Sequence, residues 1–108
     1  MPKTEYLQGA LDLLILQILA LGPNHGWAIQ QRIQQVSREV LNVSQGSLYP
    51  ALHRLEAAGF LESQMSPSEN NRRARLYTLT AAGRRHLSTE ADAWREFSVA
   101  MRRVLQAG

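Results

Sequence analysis

The chain contains no cysteine. That excludes a disulfide-stapled scaffold, a thiolate zinc site and a cysteine nucleophile. Tryptophan occurs only as Trp27 and Trp94, and lysine is almost missing, since eleven of the twelve basic residues are arginines. No hydrophobic run is long enough for a bilayer: the most apolar stretch, Leu11 to Leu21, is short and interrupted by Asp12 and Gln17. The opening Met-Pro-Lys-Thr-Glu lacks the charged, apolar and small-residue order of a signal peptide. A cytoplasmic protein without a membrane partner is therefore expected.

Hydrophobic residues make up 44% of the 108 positions, enough for one core in a single domain. The net charge of +3 is modest, but its placement is uneven. Arg72, Arg73, Arg75, Arg84 and Arg85 fall in a stretch with no acidic residue. A local cationic cluster points to a phosphate-bearing partner; the competing reading is a solvated charged face.

Apolar periodicity organises the chain. Leu7, Ala10, Leu11, Leu14, Ile15, Ile18, Leu19 and Leu21 recur at three and four, which predicts a nearly all-buried helix from about Tyr6 to Leu21. Asn24 is a good N-cap for a second helix ending near Val36, with Trp27, Ile29, Ile33 and Val36 as its apolar contacts and Trp27 in the core. Leu48, Leu52 and Leu55 mark a third helix, stopped by Gly59. Its start is open between two caps. Ser44 would leave Pro50 inside the helix, whereas Ser47 would put it in the first turn. Two alternating segments, Phe60 to Met65 and Arg75 to Thr80, flank a polar loop from Ser66 to Arg73 and predict a hairpin with a basic tip. A last helix runs from about Thr80 to Leu105, carrying Leu87, Ala91, Trp94, Met101 and Leu105 on one stripe, widened by Phe97, Ala100 and Val104.

This order gives the fold class: mainly α with a two-stranded β wing, a winged helix-turn-helix with a long C-terminal helix. Residues 1–80 would form the winged-helix unit and 81–108 the C-terminal helix. In the third helix Leu48, Leu52 and Leu55 face the core, so Gln45, Ser47, Tyr49, His53 and Arg54 face out as candidates for base edges and phosphates. In the wing the candidates are Asn71, Arg72, Arg73 and Arg75, since arginine suits phosphate and the narrow minor groove.

The run Ser44-Gln45-Gly46-Ser47-Leu48-Tyr49-Pro50-Ala51-Leu52-His53-Arg54-Leu55-Glu56, preceded by His25-Gly26-Trp27-Ala28-Ile29 and followed by Arg75-Leu76-Tyr77-Thr78-Leu79-Thr80 with Gly83, closely resembles the PadR family of bacterial transcriptional regulators. The match covers nearly the whole chain. Gln45 and Leu76 depart from the residues many members carry there. The resemblance implies a repressor that binds double-stranded, pseudo-palindromic operators as a homodimer through its C-terminal helix. On that basis Tyr49 contacts the DNA backbone, and Leu87, Ala91, Trp94, Phe97, Met101, Val104 and Leu105 are expected at the dimer seam. It further implies that Trp94 faces its two-fold mate and stacks on a small planar hydrophobic ligand; plain dimer packing is the alternative.

No cofactor, metal or enzymatic activity is expected. His25, His53 and His86 fall one to an element without ligand spacing, and no carboxylate orients Ser47 with His53. The competing function is a winged-helix protein–protein or RNA-binding module, which would not require a basic wing.

Overall fold

A computed structural model of the chain describes residues 2–67 and 73–108, with side chains from Gly9 onward. The expectations for Asn71 and Arg72 lie outside the described residues. Helix α1 (Pro2–Ala20) buries Leu11, Ile15, Leu16, Ile18 and Leu19, while Leu21 lies past its end and is exposed. A two-residue strand, β1 (Asn24–His25), precedes helix α2 (Gly26–Val36). Asn24 is thus not the expected cap. It pairs with Tyr77, and His25 takes the cap position without a side-chain bond to the helix.

Trp27 also departs from expectation, being 47% exposed. The stripe that α2 buries is set by Ile29 and Ile33. Trp27 lies two residues before Ile29, roughly 200° around the helix, so it points away from the core. Val36 does share that stripe, but it is the last helical residue and projects past the body.

α2 ends in an unusual turn. Arg38 and Glu39 both adopt positive φ, 53° and 66°. Their amides donate back to Gln35 and Gln34, closing the last carbonyls in a Schellman pattern that normally uses glycine. Gln30 holds the following loop by donating its side-chain amide to the Val43 carbonyl at 2.6 Å.

Helix α3 (Gln45–Ala57) resolves the open question of its start. Ser44 is the cap, its hydroxyl accepting from the Ser47 amide at 3.2 Å, so Pro50 lies inside the helix. Pro50 is exposed, which leaves the interrupted bond on the solvent side. Leu48, Ala51, Leu52 and Leu55 face inward. At the far end Gly59, with φ 84°, closes the helix through Phe60 N–H to Leu55 and Gly59 N–H to Glu56.

Strands β2 (Leu61–Pro67) and β3 (Arg73–Leu79) form the antiparallel wing, in register from Leu61 opposite Leu79 to Pro67 opposite Arg73. With β1 on the other edge of β3, the expected two-stranded hairpin becomes a three-stranded sheet of order β1-β3-β2. A two-residue strand carries no alternation of its own, so only the tertiary pairing reveals it.

Helix α4 (Ala81–Gln106) spans 26 residues, about 39 Å. The Thr80 hydroxyl caps it, accepting from the Gly83 amide at 3.0 Å and donating to the Gly59 carbonyl at 2.7 Å. Gly83 lies so close to the preceding corner that a Cβ there would collide with the Phe60 carbonyl oxygen and the Leu79 side chain. One turn on, the His86 ring stacks on Phe60 with centroids 4.1 Å apart. Leu87 packs against the core of its own chain. It therefore helps to anchor α4 to the body. Beyond Leu87 the helix buries no residue, and the molecule measures 55 × 28 × 27 Å.

Candidate nucleic-acid interface

Helical spacing sorts the α3 side chains into three sides. Leu48, Ala51, Leu52 and Leu55 enter the core. Ser47, Pro50 and His53 occupy the opposite, exposed side. Gln45, Tyr49 and Glu56 line the flank toward the wing, as the contact of Glu56 with β2 shows.

The first turn of α3 holds exposed Gln45 and Ser47, with the Ser47 hydroxyl accepting from Ser44 Oγ at 3.1 Å. Tyr49 is 36% exposed and lies across the start of α2. A Cβ on Gly26 would stand 2.8 Å from the Tyr49 ring and 3.1 Å from its hydroxyl oxygen, so glycine is what lets the phenol lie there. No side chain caps α2, so the phenolic hydroxyl and the positive end of that helix share one spot, which suits an anion.

Two of the arginines expected at DNA, Arg54 and Arg75, are engaged within the chain. Arg54, expected to reach a phosphate, donates to Asp12 of α1 at 2.7 Å. Arg75 donates from Nη1 to Ser63 Oγ at 3.1 Å, and Ser63 Oγ in turn donates to Glu56 Oε2 at 2.7 Å. Arg73 opens β3 and is exposed. The buried Tyr77 joins this region: burial raises its pKa above the ordinary value of 10.0, Glu56 adds to the rise and Arg75 opposes it, so the phenol stays protonated at neutral pH. Nothing in the sequence signals Asp12, Ser63 or Glu56 as partners. Arg54 and Asp12 are 42 residues apart, a distance across which no local spacing rule speaks.

The far half of α4 offers a different surface. Trp94, Phe97, Met101, Val104 and Leu105 are all exposed, the last two at 70% and 76%. They fall within roughly 100° of the helix circumference, in line with Gly83 and Leu87 on the body. Trp94 and Phe97 lie 5.7 Å apart, centroid to centroid. Ala91 is half-buried beside them. A shallow depression on α4 is lined by Asp92, Glu96, Phe97, Val99 and Arg103, and Trp94 is not part of it. Among the described residues no three His, Asp or Glu side chains converge as metal ligands, and no helix is long and apolar enough to cross a membrane.

Residues 15–89 match the Transcriptional regulator PadR-like family. The chain is 39% identical over 95 residues to the transcriptional regulator Rv3488 of Mycobacterium tuberculosis, covering 87% of this chain and 84% of that protein. It is 44% identical over 87 residues to an uncharacterized 37.1 kDa protein in transposon TN4556 of Streptomyces fradiae. That match takes 81% of this chain but only 24% of the relative, so the chain spans about a quarter of that protein's length. Among solved structures, a PadR family transcription regulator from Clostridium difficile superposes with a TM-score of 0.74 at 29% identity, covering 88% of this chain and 97% of that one. Bacillus subtilis PadR in complex with operator DNA superposes with a TM-score of 0.67 at 24% identity, over 74% of this chain and 45% of that one, a likeness of fold. The Mycobacterium tuberculosis and Clostridium difficile relatives are regulators of transcription. The winged helix, its motifs and these matches agree: the chain belongs to the PadR-like family of transcriptional regulators.

Proposed function

We propose that the chain binds duplex DNA sequence-specifically as a homodimer, acting in the cytoplasm as a repressor of a pseudo-palindromic operator. The observation that carries this reading is the juxtaposition of the exposed side of α3 with a wing whose described tip residue, Arg73, is an exposed cation. Helix α3 lies in the major groove, with Gln45, Ser47 and His53 toward base edges and phosphates. Tyr49 meets a backbone phosphate at the start of α2. Arg73 and Arg75, with Asn71 and Arg72, contact the backbone or the minor groove. Arg54 engages Asp12 through Nη2 alone, so its other donors can meet a phosphate, and giving up the partly exposed pair altogether costs only about 0–1 kcal/mol. The operator complex of the Bacillus subtilis relative supports the reading.

Dimerisation follows from α4, whose apolar stripe continues beyond the body that covers its first turns. Ala91, Trp94, Phe97, Met101, Val104 and Leu105 meet their two-fold mates there. Two Trp94 rings on such an axis leave a slot for a flat apolar ligand, which releases DNA only if it favours a dimer whose α3 helices no longer match the half-sites.

Selection from random duplex DNA tests the reading, followed by titration of the selected site at several salt concentrations. Two inverted half-sites about 10 base pairs apart, with affinity falling steeply in salt, are expected. No enrichment, or single-stranded RNA competing as well as the duplex, would move the chain to the alternative of a protein- or RNA-binding winged helix.

A further inference from the structure

Ser63 of β2 stands between two groups of opposite charge, one on each neighbouring element. Its hydroxyl donates to Glu56 of α3 and accepts from Arg75 of β3. We propose that Glu56, Ser63 and Arg75 form a positioning relay that sets the angle of the wing against α3 and orders the Arg75 guanidinium at the DNA-facing edge. The DNA-facing part rests on the function proposed above; the ordering is a property of the free chain.

The place of Ser63 in the sheet supports this role. On its face of the wing, Leu61 opposite Leu79 is buried, and Ser63 stands opposite buried Tyr77. The next pair on that face, Met65 opposite Arg75, is exposed. Ser63 therefore marks the point where core support ends and the wing becomes self-supporting. Arg75 is its diagonal neighbour across the strands, a separation that long side chains bridge. A brace at this point acts on every residue beyond it.

The chemistry fits as well. A hydroxyl donates and accepts at a single atom, which is what a link between a carboxylate and a guanidinium requires. Arginine carries five N–H donors, and the relay engages Nη1 alone among the described contacts, so other donors remain for a phosphate. Glu56 would otherwise be an odd residue here. It shares a flank with Tyr49, and a bare carboxylate there repels phosphate. Through Ser63 its charge instead orders a cation.

The experiment compares Ser63→Ala with Ser63→Thr, each with and without Arg75→Ala, after heat melting has confirmed that all are folded. Without DNA, the Arg75 guanidinium proton signals, assigned by Arg75→Lys, should be protected in the wild type and in Ser63→Thr and lost in Ser63→Ala. With the selected duplex, Ser63→Ala should bind about three- to tenfold more weakly. Ser63→Thr should restore affinity, and Arg75→Ala should cost less in the Ser63→Ala background than alone. A merely structural serine would lower the melting temperature without that coupling. Additive losses, or an Arg75 signal unchanged in Ser63→Ala, would overturn the relay. If the wild type bound no duplex while the Arg75 signal followed the hydroxyl, the ordering would stand and the DNA reading would fall.

Discussion

Gly83 is the tightest of the described glycines, because the hydrogen it carries is all that fits between α4 and the Phe60 carbonyl. Gly83→Ala should destabilise by about 1–3 kcal/mol or more, read as a lower melting temperature, since the colliding group is backbone and cannot swing aside. The opposite sign is expected at Arg38. A side chain at φ 53° costs about 1–2 kcal/mol that glycine avoids, so Arg38→Gly should raise stability in urea by about 1 kcal/mol with an unchanged slope. Tyr49 tests function without structure. Tyr49→Phe keeps the ring on Gly26 and removes the hydroxyl, so melting should be unchanged while duplex affinity drops by about 0.5–1.5 kcal/mol. Equal affinity would mean that the ring merely covers the start of α2. Residues of this kind differ in how openly the sequence announces them. Tyr49 and Gly83 stand in recognisable runs, whereas Arg38 looks like any solvated arginine until its backbone is seen.

At the scale of elements, the wing is where charge and geometry meet. Replacing Arg72 and Arg73 by alanine should flatten the dependence of log affinity on log salt by roughly 0.9 for each phosphate that is no longer neutralised, on each wing. An unchanged slope would place the wing off the DNA. The helices themselves were readable because a buried stripe repeats: Leu48, Leu52 and Leu55 declare α3, and Ile29 with Ile33 declare α2. Trp27, counted among the apolar contacts of α2, lies outside the stripe because its angle to Ile29 and Ile33 turns it away. β1 was not readable, since two residues have no period and gain their strand character from Tyr77 and Leu76. The partners of Arg54 and Arg75 were equally silent, because they come from elements that only the fold brings close.

At the scale of the whole molecule, the proposed assembly rests on α4. Sedimentation at micromolar concentration should show a dimer, and Trp94→Asp, which places a charge in the stripe, should give folded monomers. A monomeric wild type would contradict the seam. The stripe was legible in sequence as a helix too apolar for one small domain, but its division was not: Gly83 and Leu87 pack on the chain's own body, whereas Trp94, Phe97, Met101, Val104 and Leu105 are exposed. With the proposed dimer, that division would tie the regulator to its own abundance. A copy without a mate leaves the apolar side chains in the last turns of α4 exposed, and helical turns with little tertiary packing fray in water. Newly made or overly diluted copies would thus offer proteases a loosened tail rich in arginine, at Arg95, Arg102 and Arg103, that paired copies keep wound. Degradation would then fall first on the solitary copies, and pairing would lengthen the life of the protein as well as make its operator-binding form.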